Sequence, residues 1–265
     1  MGIVNVTPDS FSDGGRALAL HAAVAQAERM EAEGADLIDI GGESSRPGAE
    51  PIDLDEELRR VVPAVAAIAR AVRIPISVDT TKAEVARRAL EAGAAIVNDI
   101  TALGGDPAMP RVVAEAGAGV VLMHMQGTPR TMQLDPRYDD VVAEVRDFLA
   151  RRLEWAEALG IARERIALDP GIGFGKTLAH NLTLLRHLDR LADLGCALLV
   201  GTSRKGFLGT LTGRPISERA TASAVSGLAA IVRGAQVVRV HDVGAMADAL
   251  KVWEAQVGWD PADRA

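Results

Sequence analysis

The sequence is poor in the features that mark secreted, membrane-spanning and nucleic-acid-binding proteins. Its 265 residues include one cysteine, Cys196, which excludes an intrachain disulfide and a multi-cysteine metal cluster. Cys196 lies in an apolar stretch, so we expect a buried structural thiol. No basic and then apolar leader opens the chain, and no run of about 18 apolar residues occurs. We therefore predict a cytoplasmic protein that does not contact a membrane.

Positive charge is also in short supply. The formal net charge is -7 and the sequence pI is about 5.3, whereas nonspecific binding of nucleic acid favours basic surfaces. We therefore expect small-molecule partners and no nucleic acid, and an anionic substrate would need a local cationic site. Hydrophobic residues make up 48% and charged residues 25% of the chain, as in an ordinary soluble globular protein.

Short apolar runs alternate with longer amphipathic stretches eight times along the chain. The predicted strands are Gly2–Val6, Leu37–Ile40, Ile76–Asp79, Ile96–Asn98, Val120–Met123, Ile166–Leu168, Ala197–Val200 and Val237–Val240. The predicted helices are Ala17–Glu33, Asp55–Ala71, Lys82–Ala92, Pro107–Ala116, Asp139–Leu159, Leu178–Leu191, Glu218–Arg233 and Val243–Gln256. Strands this short and apolar are typical of parallel strands buried on both faces. The α/β pattern therefore predicts a (β/α)8 TIM barrel spanning residues 1–265 as a single domain, with its active site at the carboxyl ends of the strands.

A glycine-rich loop follows the sixth predicted strand. The stretch Ile166–Lys176 indicates a strand that delivers Asp169 to a loop with one proline and three glycines. Gly175-Lys176-Thr177 resembles the end of a P-loop, but that motif requires glycine where Pro170 stands. Proline also lacks the N–H that would cradle a phosphate. We therefore expect the loop to shape the floor of a pocket, where backbone approaches a flat ligand.

All eight strand ends carry polar or glycine-rich sequence. Three of them place acceptor groups suited to a heterocycle with several N–H donors, and these are Asp79, Asn98 and Asp169. Positive charge for a diphosphate or carboxylate would come from Arg46, Lys205, Arg239 and His241. Apolar faces for a flat ring would come from Ile100, Met123 and Phe174. The strand ends therefore predict a pocket for a flat polar ring joined to an anion.

Many of these residues could also have a purely structural role, which the sequence leaves open. A strand-end aspartate such as Asp79 often caps the next helix. Taken singly, Phe174 and Met123 would be core residues, His124 and His241 would be satisfied buried histidines, and Arg204 or Arg239 would be solvated charges at the rim. The functional interpretation depends on the character of all eight strand ends taken together.

Four motifs carry a specific resemblance to a known family. They are Met1–Gly15, Gly41–Gly48, Ser77-Val78-Asp79-Thr80 and Asn98-Asp99-Ile100, and the other strand ends fit the same pattern. On these residues the sequence resembles the dihydropteroate synthase family, the pterin-binding barrel enzymes of folate synthesis, over almost its whole length. The resemblance implies a transferase that condenses (7,8-dihydropterin-6-yl)methyl diphosphate with 4-aminobenzoate to give 7,8-dihydropteroate and diphosphate.

The resemblance also implies roles for individual residues. Catalytic roles would fall to Asn5, Asp9, Arg46, Lys205, Arg239 and His241. The pterin would contact Asp79, Asn98, Ile100, Met123, Asp169, Gly173, Phe174, Lys205 and Arg239. 4-Aminobenzoate, or a sulfonamide inhibitor in its place, would face Ser45, Arg46, Pro47, Phe174 and Ser203. The diphosphate would meet Asn5, Ser45, Arg239 and His241, and the cofactor Mg²⁺ would bind Asn5.

Further expectations follow from the resemblance and from two departures. Relatives are typically homodimers packed through late helices, and the loops Thr7–Gly15 and Ser44–Glu50 would close over the diphosphate. Ser45 stands where the family usually has threonine, and we expect a small effect because the hydroxyl is kept. The chain begins directly at the first motif, whereas relatives usually carry a lead-in segment, so we expect the first strand to have little support.

Three other functions stay open on the sequence alone. A non-catalytic pterin-binding paralogue would keep the motifs without turnover. A pterin-dependent methyltransferase acting on a corrinoid protein shares the fold and the acidic pterin site, but it would not need the Asn5–Gly15 loop or Ser203-Arg204-Lys205. An aldolase that forms a Schiff base on Lys205 is the third alternative.

Overall fold

The computed structural model describes residues 1–6, 15–46 and 48–258. Eight parallel strands lie side by side in chain order: β1 (Gly2–Asn5), β2 (Ile38–Gly41), β3 (Ile76–Asp79), β4 (Ile96–Asp99), β5 (Gly119–Met123), β6 (Ile166–Asp169), β7 (Ala197–Val200) and β8 (Val237–Val238). A parallel bridge joins Gly2 to Val240, and the Ile3 amide donates to the Val240 carbonyl at 3.0 Å. The sheet therefore closes on itself as a (β/α)8 barrel, which confirms the fold that the eightfold repeat predicts.

Ten α-helices surround the barrel in the described part of the chain. They are α1 (Gly15–Ala32), α2 (Leu54–Ala71), α3 (Ala83–Glu91), α4 (Met109–Ala116), α5 (Val141–Ala158), α6 (Leu178–Arg186), α7 (Asp189–Ala192), α8 (Gly206–Thr212), α9 (Ala220–Val232) and α10 (Val243–Val257), with 3-10 turns at Arg163–Arg165 and Ile216–Glu218. Among these described helices, none is long and apolar enough to cross a membrane.

Most element boundaries differ from the sequence prediction by one or two residues, and three differences are larger. The predicted helix Leu178–Leu191 is divided into α6 and α7, and α8 was not predicted, because seven residues are too few to show a helical period. The last strand is shorter than predicted because Val240 contacts β1 only through the single bridge that closes the barrel. Glycines end the helices as expected: Gly34, Gly93, Gly117, Gly160, Gly195 and Gly234 all have positive φ.

The side chains inside the barrel change from apolar to polar along the strands. Near the amino ends, Met1, Val121 and Leu199 form a buried interior cluster on which Leu37, Ile96, Ala167 and Val237 pack. Successive strand residues point to opposite faces, so the interior position recurs every two residues. The next interior positions are polar, from Leu37 to Asp39, Ile96 to Asn98, Ala167 to Asp169 and Val237 to Arg239. One period-two pattern thus supplies both the barrel core and the polar mouth.

The intervening strand residues face the helices and form the main core. Ile38, Ile40, Val78, Leu122 and Leu168 are fully buried there. Because the core encloses every strand from outside, the strand ends hold their side chains on a rigid frame. Chemistry at the barrel mouth therefore depends on side chains whose backbone is fixed.

β1 is well supported, so the expectation of a weakly held first strand is wrong. It pairs along its four residues with β2 and also bridges to the chain after β8. Ile3 and Val4 are buried, and Gln26 of α1 donates to the Ile3 carbonyl at 3.1 Å. The strand that carries Asn5 is therefore as firmly placed as its neighbours.

Candidate active site

An arginine whose side chain is 22% exposed lies at the centre of the barrel mouth, held by two carboxylates. Arg239 Nε donates to Asp39 Oδ2 at 2.6 Å, and Arg239 Nη2 donates to Asp79 Oδ2 at 2.9 Å. Asn98 Nδ2 donates to the same Asp39 oxygen at 3.1 Å. These side chains converge because β2, β3, β4 and the residues after β8 all present interior positions there. Acceptor groups and a cation are thus joined in one network, as the strand-end pattern predicts.

Asp79 lies among several other carboxylates. Burial and the negative charges of Asp39, Glu57 and Asp99 raise the pKa of Asp79 to about 7, although Arg239 opposes the shift. Near neutral pH the carboxyl is therefore balanced between its protonated and ionised forms. Burial lowers the pKa of Arg239, but Asp39 and Asp79 outweigh this and raise it, so the guanidinium stays charged.

The capping alternative for Asp79 is wrong. The amides at the start of α3 have other acceptors: Thr80 Oγ1 accepts from the Lys82 amide at 3.2 Å, and Asp106 Oδ2 accepts from the Ala83 amide at 2.9 Å. Arg239 is likewise no solvated rim charge, because both of its acidic partners are largely removed from solvent. The network around Arg239 is therefore part of the pocket wall.

The opposite side of the mouth is apolar and carries a lysine. Met123, Met132 and Phe174 form a small buried cluster, against which Ile100 and Met125 pack. This cluster is separate from the main core, so Met123 and Phe174 are more than ordinary core residues. Lys205 Nζ lies 4.1 Å from the centroid of the Phe174 ring. Burial lowers the pKa of Lys205 to about 8, although Asp169 opposes the shift, so the ammonium persists at neutral pH.

Asp169 ends β6 directly beneath the glycine-rich loop. Its Oδ1 accepts the Gly171 amide at 2.7 Å. Burial raises the pKa of Asp169, while the hydrogen bond from Gly171 and the charge of Lys205 oppose the rise. Asp169 thus faces both the loop and the cation, consistent with the predicted position at the polar edge of a ring.

The glycines of this loop are required mainly by the neighbouring loop after β5. Gly171, Gly173 and Gly175 all have positive φ. A Cβ at Gly175 would lie 2.6 Å from the Gln126 carbonyl oxygen, and one at Gly171 would collide with the His124 carbonyl. Only Gly173 faces the pocket, where a Cβ would lie 3.2 Å from Lys205 Cδ. Close approach of this loop to a flat ligand therefore stays a prediction, and Gly173 is the position where it applies.

Lys176 is buried and ties the same two loops together. Its Nζ lies 2.9 Å from His124 Nδ1 and donates to the Phe174 carbonyl at 2.9 Å. Burial lowers the pKa of Lys176 to about 7, and burial together with Lys176 lowers the pKa of His124 to about 3. His124 also meets the Phe148 ring edge-on at 4.9 Å. His124 is thus a satisfied buried histidine, and Lys176 has no place in a phosphate-binding P-loop.

His241 and Ser203 form a pair on the β7–β8 side of the mouth. Ser203 Oγ accepts from the His241 amide at 3.1 Å and shares a 3.0 Å hydrogen bond with His241 Nδ1. Burial, then the charges of Arg204, Arg239 and Arg46, lower the pKa of His241 to about 4. The surroundings of His241 therefore disfavour the positive charge expected of it, and its role at a diphosphate stays a prediction. Its neutral imidazole can still serve as a hydrogen-bond donor.

The predicted residues at the first two strand ends lie only partly within the described residues. Asn5 ends β1 in register with Gly41, which in turn is in register with Asp79. Ser45 is half-buried and Arg46 is exposed in the loop after β2. Asp9, Pro47 and most of the loop Thr7–Gly15 lie outside the described residues. Their predicted roles stay predictions.

Three structural details were not predicted. Asp39 is fully buried beside Arg239, and its position inside an apolar strand was the available signal. Lys82 Nζ donates to Glu57 Oε2 at 2.5 Å and also to Glu43, so it links α2 to the loop after β2; the sequence shows no sign of this. Cys196 is only partly buried, contrary to expectation, although burial still raises the pKa of its thiol.

The fold and the site together define a class of protein. It is a (β/α)8 enzyme whose barrel mouth places hydrogen-bonding groups for a flat heterocycle beside cations for an attached anion. The family model described as pterin binding enzyme matches residues 1–241. A dihydropteroate synthase from Neisseria meningitidis serogroup C is 50% identical over 259 residues, which cover 96% of this chain and 91% of that protein.

Two solved structures agree with this match. A Xanthomonas albilineans dihydropteroate synthase with 4-aminobenzoic acid has a TM-score of 0.92 and 50% identity, covering 98% of this chain and 93% of its own. The enzyme from the same organism in complex with 7,8-dihydropteroate has a TM-score of 0.88 and 48% identity, with coverages of 98% and 94%. The chain therefore belongs to the pterin-binding enzymes, and within them to the dihydropteroate synthase family of transferases.

Proposed function

We propose that the protein condenses (7,8-dihydropterin-6-yl)methyl diphosphate with 4-aminobenzoate to give 7,8-dihydropteroate and diphosphate. The observation that carries this proposal is the network in which Arg239 bridges Asp39 and Asp79 beside Asn98. It supplies acceptors for ring N–H groups and a cation for the attached diphosphate within one pocket.

The pterin would lie between the charged and the apolar sides of the mouth. Its polar edge would hydrogen-bond to Asp79, Asn98 and Asp169. Its faces would pack against Ile100, Met123 and Phe174, with Gly173, Lys205 and Arg239 completing the contacts. The separate apolar cluster around Phe174 supports this placement, because a flat ring needs apolar faces and polar edges at once.

The reacting atom is the methylene carbon attached to the pterin ring. Its bond to the diphosphate oxygen breaks and the electron pair leaves with the diphosphate, while the electron-rich ring stabilises the cation left behind. The amine nitrogen of 4-aminobenzoate then forms the new C–N bond and releases a proton. Arg239 and His241 would donate hydrogen bonds to the departing diphosphate as its charge develops. No side chain needs to form a covalent bond with the substrate.

The 4-aminobenzoate would lie between the loop after β2 and the loops after β6 and β7. The residues assigned to it are Ser45, Arg46, Pro47, Phe174 and Ser203. The Phe174 ring and the fixed hydroxyl of Ser203 support this assignment. We expect sulfonamides to compete with 4-aminobenzoate for this position.

The residues present can hold Mg²⁺ if the substrate diphosphate supplies most of the metal ligands. In the described part of the chain, no group of three or more His, Cys, Asp or Glu side chains could hold a metal ion. Mg²⁺ commonly binds through one or two protein oxygens, substrate phosphates and water. Asn5 offers one amide oxygen at the end of β1, so we infer that it would hold the ion, which would offset the diphosphate charge.

The decisive experiment follows diphosphate release and dihydropteroate formation together, with Mg²⁺, in the presence and absence of 4-aminobenzoate. We expect equal amounts of both products, and both only when 4-aminobenzoate is present. Pterin binding without release would support the non-catalytic paralogue instead. Sodium borohydride trapping of a substrate on Lys205 would support the aldolase, and either result would overturn the proposal.

We also infer a homodimer that packs through the late helices. A groove of about 800 Å³ is lined by α6, α8 and α9, and its apolar residues include Leu185, Phe207, Leu211, Val225 and Ala229. Val225 is 64% exposed and Leu211 is 55% exposed, which is costly for an uncovered surface. Light scattering should show a dimer that Val225→Arg dissociates, while Leu159→Arg, at the end of α5, leaves it intact.

We assign residues 1–265 to one pterin-binding barrel domain. The family match ends at His241. The helix α10 lies beyond that residue and packs against α9. We place the protein in the cytoplasm because a lone cysteine suits a reducing compartment. Fractionation of cells that produce the protein would test this location.

A further inference from the structure

Arg239 is bound to two carboxylates that differ in their access to the pocket. Asp79 has a side chain that is 15% exposed, whereas Asp39 is completely buried. Both ion pairs are close, at 2.6 Å to Asp39 and 2.9 Å to Asp79. One partner can therefore reach a ligand in the mouth, and the other cannot.

The hydrogen bonds of Arg239 distinguish the two partners further. The guanidinium has five N–H donors, of which Nε–H points to Asp39 and one Nη2–H points to Asp79. Nε carries a single proton, and its bond to Asp39 fixes the guanidinium group at the end nearest the side-chain methylenes. The remaining donors lie on the two terminal nitrogens and are available to an anion.

A bound pterin would compete with Arg239 for Asp79. The oxygen of Asp79 that accepts from Arg239 is Oδ2, and ring N–H groups of the pterin would need the same carboxylate. When Asp79 turns to the ligand, Arg239 loses one of its two acidic partners. A buried guanidinium left with weaker partners would move or bind the ligand less well.

We propose that Asp39 is a positioning residue that anchors Arg239 while Asp79 exchanges its arginine partner for the pterin. Asp39 holds the guanidinium through Nε and is itself held by Asn98 at 3.1 Å, so it stays in place when the ligand enters. The anchored Arg239 then directs its terminal donors to the diphosphate. This inference rests on the proposed function, since it requires a pterin at Asp79.

The barrel offers a matched control beside Asp39. Ser77 is in register with Asp39 on the neighbouring strand and is equally buried. Its Oγ makes no hydrogen bond within the described residues, and neither does Asp39 Oδ1. Ser77→Ala therefore alters the same interior layer without touching Arg239.

The test measures the full-length Asp39→Asn variant against the wild type and Ser77→Ala. Asparagine keeps the shape of the side chain and removes its charge, so Arg239 would depend more on Asp79. We expect the Kd for 6-hydroxymethyl-7,8-dihydropterin to rise about tenfold or more and kcat to fall, while the KM for 4-aminobenzoate changes less than about twofold. Ser77→Ala should leave all three constants near the wild-type values.

A double-mutant cycle separates positioning from general loss of stability. Lysine has no Nε–H fork, so in an Arg239→Lys background Asp39→Asn should change pterin affinity far less than in the wild type. Equal effects in both backgrounds, or an unchanged Kd in Asp39→Asn, would overturn the proposal. If Asp39→Asn raised Kd and KM and lowered kcat to similar extents, together with a lower melting temperature, the role would be structural and the proposal wrong.

The wild-type measurements distinguish a failure of the positioning role from a failure of the proposed function. A wild type that binds the pterin and forms dihydropteroate, with an Asp39→Asn variant that behaves identically, overturns only the positioning role. A wild type that does not bind the pterin overturns the proposed function and, with it, the role of Asp39.

Discussion

The two sides of the barrel mouth are built on opposite principles. The charged side, consisting of Asp39, Asp79, Asn98 and Arg239, is a closed network in which the charged groups are paired through contacts of 2.6 to 2.9 Å. The apolar side consists of Met123, Phe174 and Lys205. Lys205 Nζ donates no hydrogen bond to the described residues and lies over the Phe174 ring. The charged side is therefore organised before a ligand binds, whereas the apolar side offers Lys205 as a hydrogen-bond donor to the ligand.

The difference teaches how one pocket can bind both a ring and an anion. A paired buried charge is costly to disturb, because removing one partner leaves the other desolvated and uncompensated. A partly buried ammonium that has no hydrogen bond within the described residues has the opposite property, because a ligand that supplies acceptor groups stabilises its charge. The charged side should therefore govern stability together with binding of the ring and its diphosphate, whereas Lys205 on the apolar side should add affinity for the substrate without adding stability.

The largest effect should come from Arg239→Gln, which breaks the charged side. Asp39 and Asp79 would lose their common partner, and Asp39 has no access to solvent. We expect kcat/KM for the pterin diphosphate to fall by about a thousandfold and the free energy of unfolding by about 3–5 kcal/mol. Steady-state kinetics and urea unfolding measure the two quantities.

Arg88→Gln is the matched control for this substitution, because the ion pairs of Arg88 within the described residues are with the exposed Glu84 and Glu91 of its own helix α3. It should leave activity and stability nearly unchanged. If the two glutamine variants lost equal stability, the charged side would contribute no more than a surface ion pair.

Lys205→Met should separate affinity from stability on the apolar side. Methionine keeps the length of the side chain and its contact with Phe174, but it removes the charge. We expect kcat/KM for the pterin diphosphate to fall about a hundredfold, while the free energy of unfolding stays the same or rises because a desolvated ammonium is gone. Lys251→Met, on the last helix, should change neither. A large loss of stability in Lys205→Met would show that this side is also preorganised by charge.

The pH dependence of kcat/KM should show both sides at once. Asp79 must be ionised to accept ring N–H groups, and its pKa is about 7. Lys205 must be protonated to bind the pterin as a cationic donor, and its pKa is about 8. Activity should therefore rise with pH through about 7 and fall again above about 8. Asp79→Asn should flatten the acidic limb and Lys205→Met the basic limb, each with greatly reduced activity.

The raised pKa of Asp79 also makes the free energy of unfolding depend on pH. The folded state holds the proton between the ordinary carboxyl pKa of 3.8 and about 7, whereas the unfolded state has released it. The contribution of Asp79 to the free energy of unfolding is therefore fully present below about 4 and is lost as the pH rises through 7. Unfolding curves of the wild type and Asp79→Asn between pH 4 and 7 would show this difference, and parallel curves would contradict it.

The smallest effect should come from Ser45→Thr, in the loop after β2 and outside both sides. The substitution adds a methyl group and keeps the hydroxyl of a half-buried residue. We expect turnover to change less than about tenfold, equivalent to less than about 1.4 kcal/mol in the activation barrier. A larger change in kcat would show that this loop also takes part in organising the site.

Much of the fold was predictable because its signals are local. Short apolar runs, amphipathic stretches and helix-ending glycines each depend on a few neighbouring residues; the runs and stretches recur eight times, and six of the predicted helices end at glycine. The polar strand ends were predictable for the same reason, and Asp79, Asn98 and Asp169 converge as expected. The seven-residue helix α8 and the division after α6 were missed because one or two helical turns leave almost no period to detect.

The partners of the site residues were not predictable from the sequence. Asp39 and Arg239 are 200 positions apart, and only closure of the barrel brings them to 2.6 Å. The lysine of the false P-loop contacts His124, which is 52 positions earlier. The neutral state of His241 likewise depends on arginines from several different loops.

The sequence by itself determined the repeat, the period-two switch from apolar to polar interior positions, and the motifs that identify the family. These depend on residue type and local spacing, which the chain carries without folding. The tertiary structure alone decided which carboxylate is buried behind Arg239, which one faces the pocket, and which cation has no ion pair among the described residues. Burial and pairing set those properties, and both arise only when distant strand ends meet at one barrel mouth.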